Sequence, residues 1–500
     1  EWTAAMKCKM KEVFGIANFR LAQEGVCNAN MDQRDIICIM PTGGGKSLTY
    51  QLPATLQPGC TLVISPLIAL MTDQTLHLRE NNVEVEMITK ATSKALHSEI
   101  IQRLISLATN NRSSKPDLKL LYVTPERVAK SKQFFATLTK LAQAGKLARI
   151  VIDEAHCVSQ FGHDFRPDYK ELSKLRTHFP DVPILALSAT CPPAVLQDVL
   201  KILQLKATTP GNAANVKGTV LFTSPLYRKN LMYKVFEKPS QTQRVIQDIV
   251  DYIEENHTDQ SGIVYCFKKT ETEAVANGIC QASEGRITTG VYHADVSDLE
   301  KERLHERWRK GEIKVVCATI AFGLGIDKAD VRFVIHHSKS VENYYQESGR
   351  AGRDGQDADC VLYYRPQDAF SYAEVIKNRS GQEKGESRAP RGSSLRPDVP
   401  AVEQMLRFCQ DLQGCRKLAF AKYFSEATDV AMSAWSEDGS EALALARCGH
   451  CDNCTRAPET VEERDVTDDA WRIVQIAETA RKTHVNLTLA HLAATLRGTG

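Results

Sequence analysis

The stretch DIICIMPTGGGKSLTY (residues 35–50) decides how the rest of the chain is read. Four apolar residues, Ile36 to Ile39, suit a strand covered on both faces. Three consecutive glycines follow, and then a segment that reads as the start of a helix. Strand, glycine turn and helix in this order let backbone N–H groups approach phosphate oxygens with no Cβ in the way. The helix N-terminus adds positive potential. Thr42, Gly43, Gly44 and Gly45 would form the cradle, Lys46 would reach the β- and γ-phosphates, and the Ser47 hydroxyl would complete a Mg²⁺ shell. The turn departs from GxxxxGK[ST] at its first position, which is Met40. Taken by itself it also fits a glycine turn next to an unrelated lysine.

A second stretch, IVIDEAH (150–156), narrows that choice. Two adjacent acids at the end of a buried strand are costly unless a cation or water neutralises them. Asp153 is placed to hold Mg²⁺ through water, and Glu154 to polarise an attacking water.

Working outward, short apolar runs alternate with helical patterns from about residue 36 to 365, among them TLVISPL, PILALSAT, GIVYCF and VRFVIHHS. The alternation implies βαβ units and doubly wound parallel sheets, with ligands at the carboxyl ends of strands. The series occurs twice, so we expect two α/β lobes, residues 1–222 and 223–377, joined through a Gly/Pro/Asn-rich stretch around 205–230. A polar, low-complexity insertion is expected at 378–400. A cysteine-bearing helical part (401–458) and a final pair of helices (459–500) follow.

The chain has 500 residues, 25% of them charged, and a formal net charge of +2. That balance excludes a globally basic protein, so contact with nucleic acid must come from local patches. No apolar run is long enough to span a bilayer, and no membrane partner is expected. The absence of an initiator Met and a last segment that stops just after a helical pattern suggest a piece of a longer chain. Fifteen cysteines are scattered through strand-like segments, as in a reduced, intracellular protein. Only Cys448, Cys451 and Cys454 cluster, in CGHCDNC. With Cys415 they would make a closed tetrahedral Zn²⁺ site, with His450 and Cys409 as rival fourth ligands. An iron–sulfur run would want a cysteine at 458, which is Pro458.

Two further segments carry candidate chemistry. SGRAGRDG (348–355) sets Arg350 and Arg353 three apart in a glycine-rich stretch, so both can point into a cleft. VSQFGHDFRPDY (158–169) places Phe161, His163, Phe165, Arg166 and Tyr169 where a small polar turn would be usual. Exposed rings can stack on bases at roughly 1–3 kcal/mol each, and Arg166 can meet a phosphate or a base. The alternative is that these rings pack between lobes.

Together these motifs resemble superfamily-two helicases, and within them the RecQ DNA helicases, over residues 12 to 500. FGIANFRLAQ (14–23) resembles the family's adenine-recognition segment, which implies base contacts from Arg20 and Gln23 over Ile16. SPLIALMTDQ (65–74) and YVTPER (122–127) resemble its DNA-contacting motifs, and SAT (188–190) the motif that couples the lobes. YCFKK, YHADV and ATIAFGLGIDKADVRFVIH match second-lobe motifs. QESGRAGRDG (346–355) is similar to the arginine-finger motif, which implies Arg353 as the finger, Arg350 as a γ-phosphate or interlobe contact, and Gln346 in the nucleotide site. The aromatic stretch corresponds to a loop that senses single-stranded DNA, with Phe161 where Trp is usual.

The resemblance further implies two RecA-like lobes, a structural zinc held by Cys415, Cys448, Cys451 and Cys454, and the start of a winged-helix domain at the end. The implied activity is ATP- and Mg²⁺-dependent 3′→5′ unwinding of DNA in repair, recombination and replication. Single-stranded and forked or tailed duplex DNA would be the partners, in the nucleus if the source is eukaryotic and in the cytoplasm otherwise. The alternatives are a translocase or RNA helicase of the same superfamily, or a strand-annealing module that binds nucleotide without strong unwinding.

Overall fold

The computed structural model describes residues 2–109, 115–159, 167–189, 191, 193–319, 322, 328–337, 341–365, 399–428, 432–436, 441–483, 485 and 488–498. The chain divides into two compact units, Glu1–Cys454 and Thr455–Gly500.

The first unit contains two parallel sheets. The first is formed by β1 (Ile36–Ile39), β2 (Cys60–Ile64), β3 (Val85–Ile88), β4 (Leu120–Val123), β5 (Leu147–Ile152), β6 (Ile184–Ser188), β7 (Thr208–Pro210) and β8 (Thr219–Thr223). Their order is β3-β4-β2-β5-β6-β1-β8-β7, and all pairs are parallel. The second holds β9 (Leu231–Glu237), β10 (Ser261–Tyr265), β11 (Thr289–Tyr292), β12 (Val315–Ala318), β13 (Val331–His337) and β14 (Ala358–Tyr364), in the order β11-β12-β10-β13-β14-β9. The central strands are buried along their whole length because helices cover both faces.

The composition around 205–230 suggested a linker, but most of that stretch is structure. KATTPGNAANVKGT supplies β7 and the return into β8, two further strands of the first sheet. The connection between sheets shortens to 224–230. Hydrogen bonds from Arg228 and Asn230 to second-lobe carbonyls make it a crossover held in place rather than a free hinge. Arg149, inside the apolar run of β5, is another departure. It is 1% exposed, and its guanidinium donates to the Asn30 and Arg34 carbonyls, both at 2.9 Å. Burial pulls it down to about 9.

The cysteine-bearing helices do not stand apart from the second lobe. Tyr344 and Tyr345, on helix Val341–Ser348, pack with Phe408, Phe420, Phe424 and Trp435 in one core. Ring centroids lie 4.9 Å apart for Tyr233–Phe420 and 5.5 Å for Tyr345–Trp435. Rings of this size contribute about 1.5–3 kcal/mol each on burial, so the two parts share one hydrophobic core. Arg416 adds a two-pronged ion pair to Asp452, with both contacts at 2.9 Å, and Asp452 also accepts from the Val235 N–H of β9 at 3.0 Å.

The second unit carries helices Thr467–Lys482 and Leu489–Leu496. Thr488 caps the shorter one, its hydroxyl accepting from the His491 N–H at 3.2 Å. Among the described residues no helix is long and apolar enough to cross a membrane.

Candidate active site and metal centre

Strand β6 lies between β5 and β1, so the glycine turn after β1 and the acids after β5 emerge one strand apart at the same carboxyl edge. Gly43 and Gly45 adopt φ of +80° and +78°, where a side chain is strained. A Cβ on Gly44 would lie 2.6 Å from Met40 Cγ. Met40, the departure from the usual glycine, therefore packs beneath the turn. Lys46 Nζ donates to the Met40 carbonyl at 3.0 Å, which holds the ammonium across the loop.

Asp153 is 7% exposed. It accepts from Ser65 Oγ at 3.1 Å and from the Glu154 N–H at 3.0 Å. Burial, and then the neighbouring Glu154 charge, push its carboxyl up to about 7, while Lys46 opposes them. Glu154 sits in the left-handed region at φ 48°, ψ 48°. Its Oε2 lies 3.4 Å from His156 Nδ1, and that nitrogen is 3.0 Å from Ser188 Oγ in the SAT segment.

These groups face residues of the second lobe across a cavity of about 700 Å³. Ile16, Arg20, Gln23, Thr42, Gly43, Gly44, Gly45, Lys46, Ser47, Asp153 and Glu154 line it from the first lobe, and Gln346, Arg350 and Arg353 from the second. Every residue expected at the nucleotide is thus brought to one place. An ammonium, a glycine turn, the two adjacent acids and three guanidinium groups around one cleft suit a polyphosphate with a divalent cation. Gln23 is engaged differently from expectation. It accepts from the Arg20 N–H at 2.7 Å and donates to the Gly44 and Gly45 carbonyls at 3.3 and 3.0 Å, so it also braces the glycine turn. Arg20 reaches the Arg353 and Asp354 carbonyls at 3.3 and 3.4 Å.

The expectation for Tyr169 is corrected. Its side chain has 0% exposure in the first lobe's core, and its hydroxyl donates to the Asp153 carbonyl at 2.9 Å. A ring this enclosed offers no face to a base. Sequence pattern cannot separate an exposed ring from one folded back into the core. Phe161, His163, Phe165 and Arg166 lie outside the described residues.

Among the described residues, Cys415, Cys448, Cys451 and Cys454 form the metal-competent cluster, with all Sγ atoms within 4.8 Å of one another. The Cys448–Cys454 Sγ separation is 3.8 Å, matching the ~3.8 Å edge of a tetrahedron with ~2.3 Å zinc–sulfur bonds. Backbone N–H groups of Cys448, Arg416 and Cys451 point at Sγ of Cys415, Cys451 and Cys448 at 3.2, 3.4 and 3.4 Å. Hydrogen bonds with Cys448 and Cys451 lower the Cys415 thiol and raise those of its two partners, so one thiolate is shared among the three sulfurs. The donor set and its spacing fit zinc. The rival Cys409 is buried elsewhere in the core, with its thiol pushed up to about 12 by burial. The rival His450 instead stacks on Tyr227 at 6.4 Å.

Sequence reasoning missed Arg228 and Asn230, which lie in the crossover 224–230 and carry no motif of their own. Arg228 donates to the Gly349 and Ala351 carbonyls at 2.8 and 2.9 Å, beside both candidate arginines.

Comparison with known proteins agrees with this arrangement. Residues 20–199 match the DEAD/DEAH box helicase model, 243–355 the helicase conserved C-terminal domain, and 366–455 the RecQ zinc-binding model. ATP-dependent DNA helicase Q1 of Rattus norvegicus is 38% identical over 100% of this chain and 72% of its own length. ATP-dependent DNA helicase Q-like 2 of Arabidopsis thaliana is 39% identical over 99% of this chain and 63% of its own. Among solved structures, the DUF1998 helicase MrfA bound to DNA aligns with a TM-score of 0.57 at 16% identity, covering 84% of this chain and 60% of that one. The Mycobacterium smegmatis helicase Lhr bound to ssDNA and AMP-PNP gives 0.53 at 19%, covering 89% and 55%. Those two likenesses establish the fold, RecA-like in both lobes. With the matched zinc-binding segment and the near-complete alignment to the Q1 relative, the chain belongs to the RecQ family of ATP-dependent DNA helicases.

Proposed function

We propose that this helicase moves 3′→5′ along single-stranded DNA, opens forked or tailed duplexes, and serves repair, recombination and replication, in the nucleus if its source is eukaryotic and in the cytoplasm otherwise. The observation that carries the reading is the single cleft in which Lys46, Asp153 and Glu154 of one lobe face Arg350 and Arg353 of the other.

Thr42 to Ser47 would cradle the triphosphate, with Arg20, Gln23, Ile16 and Gln346 around the nucleoside end. Mg²⁺, held by Ser47 and Asp153, supplies charge neutralisation at the phosphates when bound. Glu154 orients the attacking water and accepts its proton. Arg353, with Arg350 beside it, stabilises the charge that develops on the γ-phosphoryl oxygens, an effect worth ~10³ to 10⁵ in rate. Because those arginines come from the second lobe, hydrolysis depends on closure, which converts the nucleotide cycle into movement. Zinc on Cys415, Cys448, Cys451 and Cys454 supplies folding energy to the adjoining helices when bound.

The segment with Phe161, His163, Phe165 and Arg166 is read as the DNA sensor. It ends at Tyr169, whose hydroxyl holds the Asp153 carbonyl, giving the sensor a direct mechanical link to the acids. Phe161→Ala is expected to reduce stimulation of ATP hydrolysis by single-stranded DNA, and full retention would remove the sensor role. Helices Thr467–Lys482 and Leu489–Leu496 are read as the start of a winged-helix domain.

The deciding experiment compares unwinding of 3′-tailed and 5′-tailed duplexes, with Lys46→Ala as control. Unwinding of the 3′-tailed substrate alone is the expected result. Preference for the 5′ tail would overturn the polarity, and annealing without unwinding would replace the helicase reading with that of an annealing module.

A further inference from the structure

The crossover 224–230 holds the loop that carries both candidate arginines. Arg228 Nη1 donates to the Gly349 carbonyl at 2.8 Å, and Nη2 donates to the Ala351 carbonyl at 2.9 Å and to that of Gly352. These carbonyls flank Arg350 and precede Arg353. Asn230 Nδ2 adds bonds to the Gly352 and Gln356 carbonyls at 2.9 and 2.7 Å. Arg228 also approaches the Thr42 carbonyl of the glycine turn at 3.5 Å. The three parts meet closely at Gly43, where a Cβ would lie 3.0 Å from Arg228 Nη1 and 3.1 Å from Arg353 Cγ. One guanidinium therefore touches the phosphate cradle on one side and the arginine loop on the other.

The chemistry explains why arginine occupies this position. Past the end of helix Val341–Ser348 the chain leaves regular structure, so the Gly349, Ala351 and Gly352 carbonyls take donors from outside the loop. A planar fork with five N–H groups can serve several of them at once, whereas an ammonium offers a single point of charge. Burial lowers the Arg228 pKa, and the nearby Arg353 charge acts in the same direction. The converging carbonyl dipoles offset that cost. With these donors committed to backbone oxygens, Arg228 is not itself aimed at the triphosphate.

We infer that Arg228 is a positioning residue for hydrolysis: it fixes the backbone around Arg350 and Arg353 against the glycine turn, so that the arginines are delivered when the cleft closes. This rests on the reading of Arg353 as the group acting on the γ-phosphate. A purely structural brace of the loop would make the same hydrogen bonds, so the test must register alignment and not only folding.

The experiment is a double-mutant cycle on DNA-stimulated ATP hydrolysis, with kcat and KM measured separately, a fluorescent ATP analogue for binding, and thermal melting as a folding check. Arg228→Ala is expected to lower kcat about tenfold or more, with KM and analogue affinity within about threefold of wild type. The double variant with Arg353→Ala should be no more than about twofold slower than Arg353→Ala alone, because Arg228 works through Arg353. Arg228→Lys should recover little of the loss, and it carries the same cycle if the alanine variant melts below the assay temperature. An unchanged kcat in Arg228→Ala, full recovery with lysine, or losses that multiply in the double variant would each overturn the inference. If Arg353→Ala itself kept wild-type kcat, the reading of the arginine finger would fall instead.

Discussion

His305 Nε2 lies 2.8 Å from Asp73 Oδ1, joining helix Asp298–Arg309 of the second lobe to helix Ile68–Glu80 of the first. One turn further along, Arg309 meets Glu80 at 2.7 Å. Any opening of the cleft on this side must break both pairs. The first is largely enclosed and the second exposed, so the first should matter more, at roughly 0.5–1 kcal/mol. His305→Ala is therefore expected to weaken nucleotide binding about two- to fivefold. Titration with a fluorescent ATP analogue checks this, and equal affinity would show that the contact does not hold the lobes together.

Tyr169→Phe deletes only the hydroxyl that donates to the Asp153 carbonyl, leaving the ring in its core. The stability cost should be about 1 kcal/mol. If that bond carries the DNA signal, stimulation by single-stranded DNA should fall severalfold while melting shifts by only a few degrees. Full stimulation with the hydroxyl absent would show that the signal takes another route.

Asp359 anchors the start of β14. Burial alone would raise its carboxyl, but hydrogen bonds from His257, Tyr252 and Lys234 win and hold it down at about 2. The folded pKa lies below the unfolded value of ~3.9, so its stabilising contribution is complete above pH ~4 and disappears as pH falls towards 2. Asp359→Asn should cost about 2 kcal/mol at neutral pH, with the gap to wild type closing over that acidic window. Denaturant midpoints measured between pH 7 and 3 test the direction.

Cys451→Ser should leave well under one zinc per chain by metal analysis. Because Cys415 and Cys451 adjoin the Arg416–Asp452 pair, and that pair reaches β9, the loss should spread into the second lobe. A fall in its melting temperature is expected, corresponding to several kcal/mol. A zinc-free variant with unchanged melting would confine the metal to a local role.

Much of this arrangement was legible in the sequence, for identifiable reasons. Strand–turn–helix order is local, so Gly43 to Ser47 and Asp153 could be placed from spacing alone. The cysteines announced themselves by two-residue intervals, although choosing Cys415 over Cys409 needed the fold or a family likeness. What stayed hidden was decided by contacts distant in sequence. Tyr169 is buried because the first lobe's core closes over it, and no periodicity in FGHDFRPDY says so. Arg228 lies over a hundred residues from the carbonyls it serves. The stretch 206–219 has the composition of a linker, yet pairing of β7 with β8 turns part of it into sheet.

The backbone at Glu154 has a wider consequence. A residue held at φ 48°, ψ 48° gives up ~1 kcal/mol or more that glycine would not, and its neighbour Asp153 keeps a carboxyl where water is scarce. Evolution towards durability alone would replace both with neutral, relaxed residues. Their presence means the resting enzyme is a compromise: its folded state is less comfortable at the spot where fuel is consumed, and a laboratory campaign for heat tolerance would be drawn first to the mutations that silence it.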